Sequence, residues 1–229
     1  VVDRIYKSAD EVNVDNAAAR TASGKSNTFY QAQGTSAGDI RFKDLNGDGV
    51  INSADQQVIG SAQPKFFGGF NNQFSYKGID LGFFFQYTYG NQILNVTREY
   101  AEGMNSQFGQ LATTLNRWTP NNTNTDMPRA AAGDPNGNTR NSTRFVEDGS
   151  YLRLKTATLG YNLPKPWSEA IHFQNIRVYL SGQNLLTFTK YSGLDPEVST
   201  FSGTNTSLGT DFLTFPQART YQVGVNLSL

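Results

Sequence analysis

The chain has 229 residues, and its 19 lysines and arginines balance 19 aspartates and glutamates, so there is no broadly basic surface for nucleic acid. It has no cysteine, which excludes disulfides, thiolate catalysis and cysteine-based metal sites, and its single histidine, His172, excludes multi-histidine zinc sites. The hydrophobic share is only 37%, yet 16 Phe, 11 Tyr and 2 Trp carry much of it, beside 22 glycines; this is a β-rich, turn-rich composition rather than a disordered one.

The length suits one or two domains. The opening, VVDRIYKSAD, lacks the apolar run of a signal peptide, and no window is apolar and long enough for a membrane-spanning helix. A membrane β-strand escapes that test, because it needs only about ten residues with alternate side chains apolar.

Residues 1–38 are weakly patterned and read as irregular extracellular loop or the remnant of a preceding strand. Residues 39–60 form a calcium-binding-type loop. From residue 61 the pattern becomes period-two. In FFGGFNNQFSY, Phe66, Phe70, Phe74 and Tyr76 share one parity, and Gly69, Asn71, Gln73 and Ser75 the other. Lys77-Gly78 makes a short turn into IDLGFFFQYTYG, where Ile79, Leu81, Phe83, Phe85, Tyr87 and Tyr89 line one face. The two segments are predicted to pair as a long hairpin.

Residues 91–150 read mostly as loop. One insert, with Met104, Phe108, Leu111, Leu115 and Trp118 at helical spacing, predicts a short helix stopped by Pro120. Strands resume at Tyr151–Leu163, Phe173–Gly182 and the terminal RTYQVGVNLSL, in which Tyr221, Val223, Val225, Leu227 and Leu229 alternate without exception. Residues 183–218 read as a second long loop.

Five long strands, each with one apolar face, are thus joined by alternately tight and long connections. That asymmetry matches an outer-membrane barrel, with short periplasmic turns and long extracellular loops. A soluble β-sandwich would explain the alternation equally well, but the strand length and the loop asymmetry less well. Five strands cannot close a barrel, and an open edge is not tolerated in hydrocarbon. The expected fold is therefore all-β: the C-terminal segment of a large antiparallel transmembrane β-barrel with long extracellular loops.

The segment Asp44–Asp55 follows the calcium-loop pattern of an EF-hand. Oxygen donors fall at Asp44, Asn46 and Asp48, the sharp turn at Gly49, the Val50 carbonyl at position seven and Asn52 at position nine. Position twelve is Asp55 rather than Glu, and its shorter side chain makes bidentate capture harder. A structural Ca2+ is expected here. No catalytic set is found: His172 reads as a turn or interface residue, and the adjacent Glu147 and Asp148 point differently. Trp118, Trp167, Tyr191 and Phe201 read as rings packed in or near loops.

Several stretches in order resemble the starch-utilisation (SusC/RagA) type of TonB-dependent outer-membrane transporter of Bacteroidetes. They are the run from Asp39 to Asn95, LNRWTPNNTNTDMPR, FVEDGSYLRLKTATLGYNLP, IRVYLSGQNLLTFTKYSGLDPEV and FPQARTYQVGVNLSL. The resemblance implies a barrel of roughly twenty-two strands, location in the cell outer membrane, and import of oligosaccharides or peptides without enzymatic activity. It also implies partners: the N-terminal barrel and plug of the same transporter, a SusD-like surface lipoprotein, TonB acting through the plug part, and a glycan or peptide substrate. No plug or TonB-box motif occurs in these residues. The contrasting expectation is a secreted, calcium-stabilised β-sandwich that binds carbohydrate.

Overall fold

The computed structural model describes residues 1–197, 200 and 207–229. In chain order the elements are β1 (Val2–Ile5), α1 (Ala9–Ser23), β2 (Ile40–Phe42), β3 (Phe66–Tyr76), β4 (Ile79–Tyr89), β5 (Gln92–Asn95) and α2 (Val96–Ala101). There follow β6 (Val146–Asp148), β7 (Tyr151–Asn162), α3 (Lys165–Glu169), β8 (Asn175–Thr189), β9 (Thr210–Asp211) and β10 (Thr220–Ser228). They group into two compact units: Val1–Ser61 with Leu94–Glu147 and Thr210–Leu213, and Ala62–Ile93 with Asp148–Gly209 and Thr214–Leu229.

The first unit holds its shape with little apolar material. β1 and β2 pair antiparallel, and Ile5, Ile40 and Phe42 form a small buried cluster against which Val2, Ile51 and Trp118 pack. A two-stranded ribbon leaves backbone groups unpaired, and asparagines from the 131–142 loop supply the partners. The Ile40 N–H donates to Asn138 Oδ1 at 2.9 Å, and its carbonyl accepts from Asn136 Nδ2 at 2.9 Å. Asp39, fully buried, is held by Arg129 at 2.9 Å and by Asn138 Nδ2 at 2.9 Å. The loop thus contributes a polar core in which Asp39, Asn136 and Asn138 are paired, while Ser142 Oγ has no partner among the described residues; buried amides do not destabilise when they are paired in this way.

Two local expectations are corrected here. Within residues 1–38, α1 forms where irregular loop was expected. Ser8 caps it by accepting the Glu11 N–H, the run Ala17-Ala18-Ala19 favours helix, and the chain leaves it at Gly24. Its amphipathicity is weak, with only Val12 and Ala19 buried, so periodicity does not reveal it. Conversely, no helix runs through Met104–Trp118. Met104 takes a left-handed φ of 48°, Leu115 and Phe108 stay exposed, and only a short 3-10 turn forms at Ala112–Asn116. Gly109 interrupts the stripe, and the adjacent Thr113 and Thr114 are poor helix formers.

The second unit is an open five-stranded sheet in the order β10-β8-β7-β4-β3, every neighbour antiparallel. Its strands are successive along the sheet, so it is an up-and-down meander, and no barrel closes among the described residues. Lys77 and Gly78, both at positive φ (47° and 85°), make the two-residue turn that matches strand twist. β8 continues to Thr189, past the predicted end near Gly182. A left-handed Asn184 (φ 53°) and a register shift opposite β7 change the phase of the alternation there, so the continuation does not read as one strand.

Asn138→Ala would leave the Ile40 N–H and the Asp39 carboxylate short of partners. It should lower the local opening free energy around β2 by about 1–3 kcal/mol, read as lost amide-exchange protection at Ile40. Asn141→Ala, at an exposed position of the same loop, should change nothing.

Candidate functional site

The metal-type loop lies in the first unit, and its backbone is already wound around its own side chains. Asp44 accepts from the Gly47 N–H (2.7 Å) and the Gly49 N–H (2.8 Å), one through each carboxylate oxygen. Asn46 Oδ1 accepts from Asp48 N–H, and Asp48 Oδ1 from Val50 N–H, both at 3.0 Å. Asp48 Oδ2 gathers the amides of Asn46 (3.0 Å) and Asn52 (3.3 Å). Gly49 sits at φ 84°, where an L side chain is strained. The Ile51 N–H donates to the Tyr30 carbonyl at 2.6 Å, which docks the loop on the small core.

Asp55, buried, behaves differently from a terminal bidentate ligand. Its oxygens accept from Leu45 N–H (2.7 Å) and Asn52 N–H (2.8 Å), closing the loop end to end and capping the 3-10 turn Ser53–Asp55. Burial pushes its carboxyl upward, but these backbone donors outweigh it and hold it below the ordinary carboxylate range.

Of the predicted set, Asn46, Asp48 and Asn52 are thus bonded to one another, Asp44 adjoins Asp55, and Val50 is tied through its N–H. Among the described residues no three acids converge on one point, so a cation here would rely on amide and carbonyl oxygens as well. Each carboxylate oxygen keeps lone pairs beyond those used, and an all-oxygen donor set suits a hard cation.

The sheet of the second unit has two chemically distinct faces. On one, cross-strand rows run Phe74–Leu81–Leu159–Leu180–Val223 and Tyr76–Ile79–Tyr161–Val178–Val225. These side chains are not packed away: Leu81 is 38% exposed, Leu159 and Leu180 50%, and Val223 78%. Phe66 stacks on Tyr89 and Phe70 on Phe85. On the other face a row runs Gln73–Gly82–Thr158–Ser181–Gln222. There Arg177 reaches across β7 to Asp80, with bonds of 3.1 and 2.5 Å. The crossing is possible because Gly160 lies between them, and any Cβ there would meet the Arg177 and Asp80 side chains.

Towards the other end of the polar face lies a charged cluster that sequence reading missed. Arg153, 2% exposed, pairs with Asp195 and, at 3.0 Å, with Glu197, which also accepts from Lys155 at 2.7 Å. Asp195 further accepts the N–H groups of Glu197 and Gln217, each at 2.9 Å. Burial pushes the Asp195 carboxyl upward, but Arg153 and these two donors prevail and hold it below the usual range. The long β8–β10 connection is thereby strapped to β7. Arg153 and Lys155 alternate with Leu152 and Leu154, the one available signal, but their partners lie some forty residues away.

The loop rings divide. Tyr191 is buried, Trp118 packs on the small core, Trp167 is exposed, and Phe201 lies outside the described residues. His172 occupies a turn, at φ 64°.

An exposed apolar face, a polar opposite face, and alternately tight and long connections are features that the walls of outer-membrane β-barrels share. No protein-family model matches the chain. The chain is 42% identical over 191 residues to TonB-dependent receptor P3 of Formosa agariphila, covering 81% of this chain and 18% of that protein. It is 38% identical over 194 residues to receptor P26 of the same organism, and 27% identical over 192 residues to TonB-dependent receptor SusC of Bacteroides thetaiotaomicron. Among solved structures, the RagAB peptide importer superposes in its open-open state with a TM-score of 0.67 and 30% identity, covering 90% of this chain and 23% of that one. Its closed-closed state gives 0.66 and 29%. The chain is thus a SusC/RagA-type TonB-dependent receptor sequence, and it spans a fifth or less of the length of the curated relatives it matches.

Arg153→Ala would leave the buried Asp195 carboxylate without its cation, Glu197 keeping Lys155, and should cost about 3–5 kcal/mol, seen as new protease cleavage in the 190–219 connection. Because the folded pKa of Asp195 is depressed, its contribution should be fully present above about pH 4 and fade only as pH falls below that. Cleavage of the native chain should therefore stay flat from pH 8 to about 5 and rise only in stronger acid.

Proposed function

We propose that the chain forms part of the barrel wall and extracellular loops of a TonB-dependent outer-membrane importer, which takes up oligosaccharides or peptides together with a SusD-like surface lipoprotein. The observation that carries this reading is the exposed apolar face of the five-stranded sheet. A face with Leu159 and Leu180 half exposed and Val223 more so is unfavourable in water and ordinary in hydrocarbon. It also speaks against a secreted sandwich, whose inner face would be buried. The likeness to RagAB, a peptide importer, supports peptide among the substrate classes, and the likeness to SusC supports the lipoprotein partner. In this reading the polar face, with Gln73, Ser181 and Gln222, lines the lumen. Transport itself needs the plug and TonB, and the contribution of this chain is wall and loops rather than chemistry.

We further propose that Asp44, Asn46, Asp48, the Val50 carbonyl, Asn52 and Asp55 hold a structural Ca2+. The prewound loop and its all-oxygen donor set support this. The ion would offset part of the negative charge that Asp44, Asp48 and Asp55 bring into twelve residues and fix the segment leading to β3.

Two measurements on the full-length transporter test these readings. Leu180→Lys, on the apolar face, should destabilise the barrel by about 2–4 kcal/mol if that face meets lipid midplane, whereas Ser181→Lys, one residue on, should cost much less. Equal effects in heat-modifiability on gels would overturn the barrel reading. For the loop, Ca2+ at a hundredfold excess over its dissociation constant should stabilise by about 2.7 kcal/mol, read as slower proteolysis within 44–55 and reversed by a chelator. Asp44→Ala should abolish the calcium dependence, and a loop equally protected with and without chelator would exclude the ion.

A further inference from the structure

The connection between β7 and β8 is one of the two tight ones, yet it carries more than a turn requires. α3 follows Pro164, with Trp167 N–H donating to the Pro164 carbonyl at 2.9 Å. Ser168 is fully buried, its carbonyl accepts from Phe173 N–H at 3.0 Å, which closes the segment on itself, and α3 packs against β8. Against that anchored Ser168, Trp167 is 65% exposed and Ile171, four residues on, 56% exposed.

The side of the sheet on which this segment lies follows from Ile176. Ile176, Val178 and Leu180 share the apolar face of β8, but Val178 and Leu180 are 40% and 50% exposed while Ile176 is only 6% exposed. Something covers the first and not the others, and α3 is the helix that packs against β8. The segment therefore folds back over the apolar face at its tight-turn end. The neighbouring row there holds Tyr76 and Tyr161, both with exposed rings.

A tryptophan is apolar in body with one N–H, and a lysine such as Lys165 can extend its stem along apolar surface with its charge in water; both suit the boundary between acyl chains and headgroups. We propose that α3 is an interfacial foot: Trp167 and Ile171 insert into the headgroup–acyl boundary of the leaflet on the tight-turn side and fix how deep the β7–β8 pair sits. The inference rests on the barrel reading above, since the foot continues the face that reading places in lipid.

The test uses the full-length transporter, free of other cysteines, reconstituted in phosphatidylethanolamine–phosphatidylglycerol vesicles. Trp167→Cys and, separately, Val223→Cys are labelled with bimane and quenched by lipids brominated at shallow or deep acyl positions, and by aqueous iodide. The label at 167 is expected to lose more emission to the shallow lipid than to the deep one, and little to iodide. Quenching by iodide alone, greater loss to the deep lipid, or loss to none of the three would each overturn the foot. Val223 separates the two failures: if position 223 is quenched by lipid and 167 is not, the foot alone is wrong. If 223 is not quenched by lipid either, the barrel reading falls with it.

Discussion

The constraint on which the structure depends is that a sheet with one apolar face and two free edges cannot be a finished object in water. Among the described residues β3 and β10 each have a single neighbour, and an unpaired strand edge is a row of unsatisfied donors and acceptors. In hydrocarbon such groups each cost several kcal/mol, so the only stable solution there is closure. The same sheet leaves Tyr221, Val223, Val225 and Leu227 more than half exposed along one strand. Lipid outside and further strands alongside would satisfy both demands together, and the receptors that the chain matches are about five times as long as the stretch they share with it.

The first unit meets a different constraint, and its solution explains the composition. A β-ribbon of four and three residues buries too little apolar surface to stand alone. Its cohesion comes from pairing side-chain amides and carboxylates with backbone groups, as Gln31, Asn136 and Asn138 do around Ile40. Arg41 adds a second set, bonded to Asp15 at 2.6 Å and to Asp3 at 2.8 Å while lying over the Tyr30 ring. Such networks are specific because each member is costly when unpaired. That is a physical reason for a chain low in aliphatic residues and rich in asparagine to hold defined loops.

What was legible in the sequence was what repeats locally. Period two exposed β3, β4 and β10 within a residue of their ends, because one face of each meets a single uniform environment along its whole length. The Asp44–Asp55 loop was legible because its geometry is made by neighbours a few residues apart. α1 announced itself only through Ser8 and Glu11, a cap signal without an apolar stripe, since it buries little. The stripe from Met104 to Trp118 misled because spacing says nothing of whether a helix would have anything to pack against, and Phe108 and Leu115 stay exposed, while Gly109 weakens the helix itself. The strap between Arg153 and the Asp195–Glu197 pair was out of reach because it joins residues far apart in sequence.

The charges on the polar face also bear on register. Arg177 and Asp80 lie on β8 and β4, two strands apart, with β7 passing between them at Gly160. A slip of one residue in either pairing would turn every side chain of the moved strand to the opposite face. It would carry Arg177 from its carboxylate partner to the apolar side, where an unpaired guanidinium is far costlier than any misplaced leucine. Leucine and valine rows alone tolerate neighbouring registers that keep parity, such as a shift of two. The Arg177–Asp80 bridge does not, because a two-residue shift moves the pair about 7 Å apart along the strands and brings a residue other than Gly160 beneath it. The apolar rows therefore set which residues share a face, and the bridged pair, passing over the glycine that admits it, selects among the registers those rows leave open.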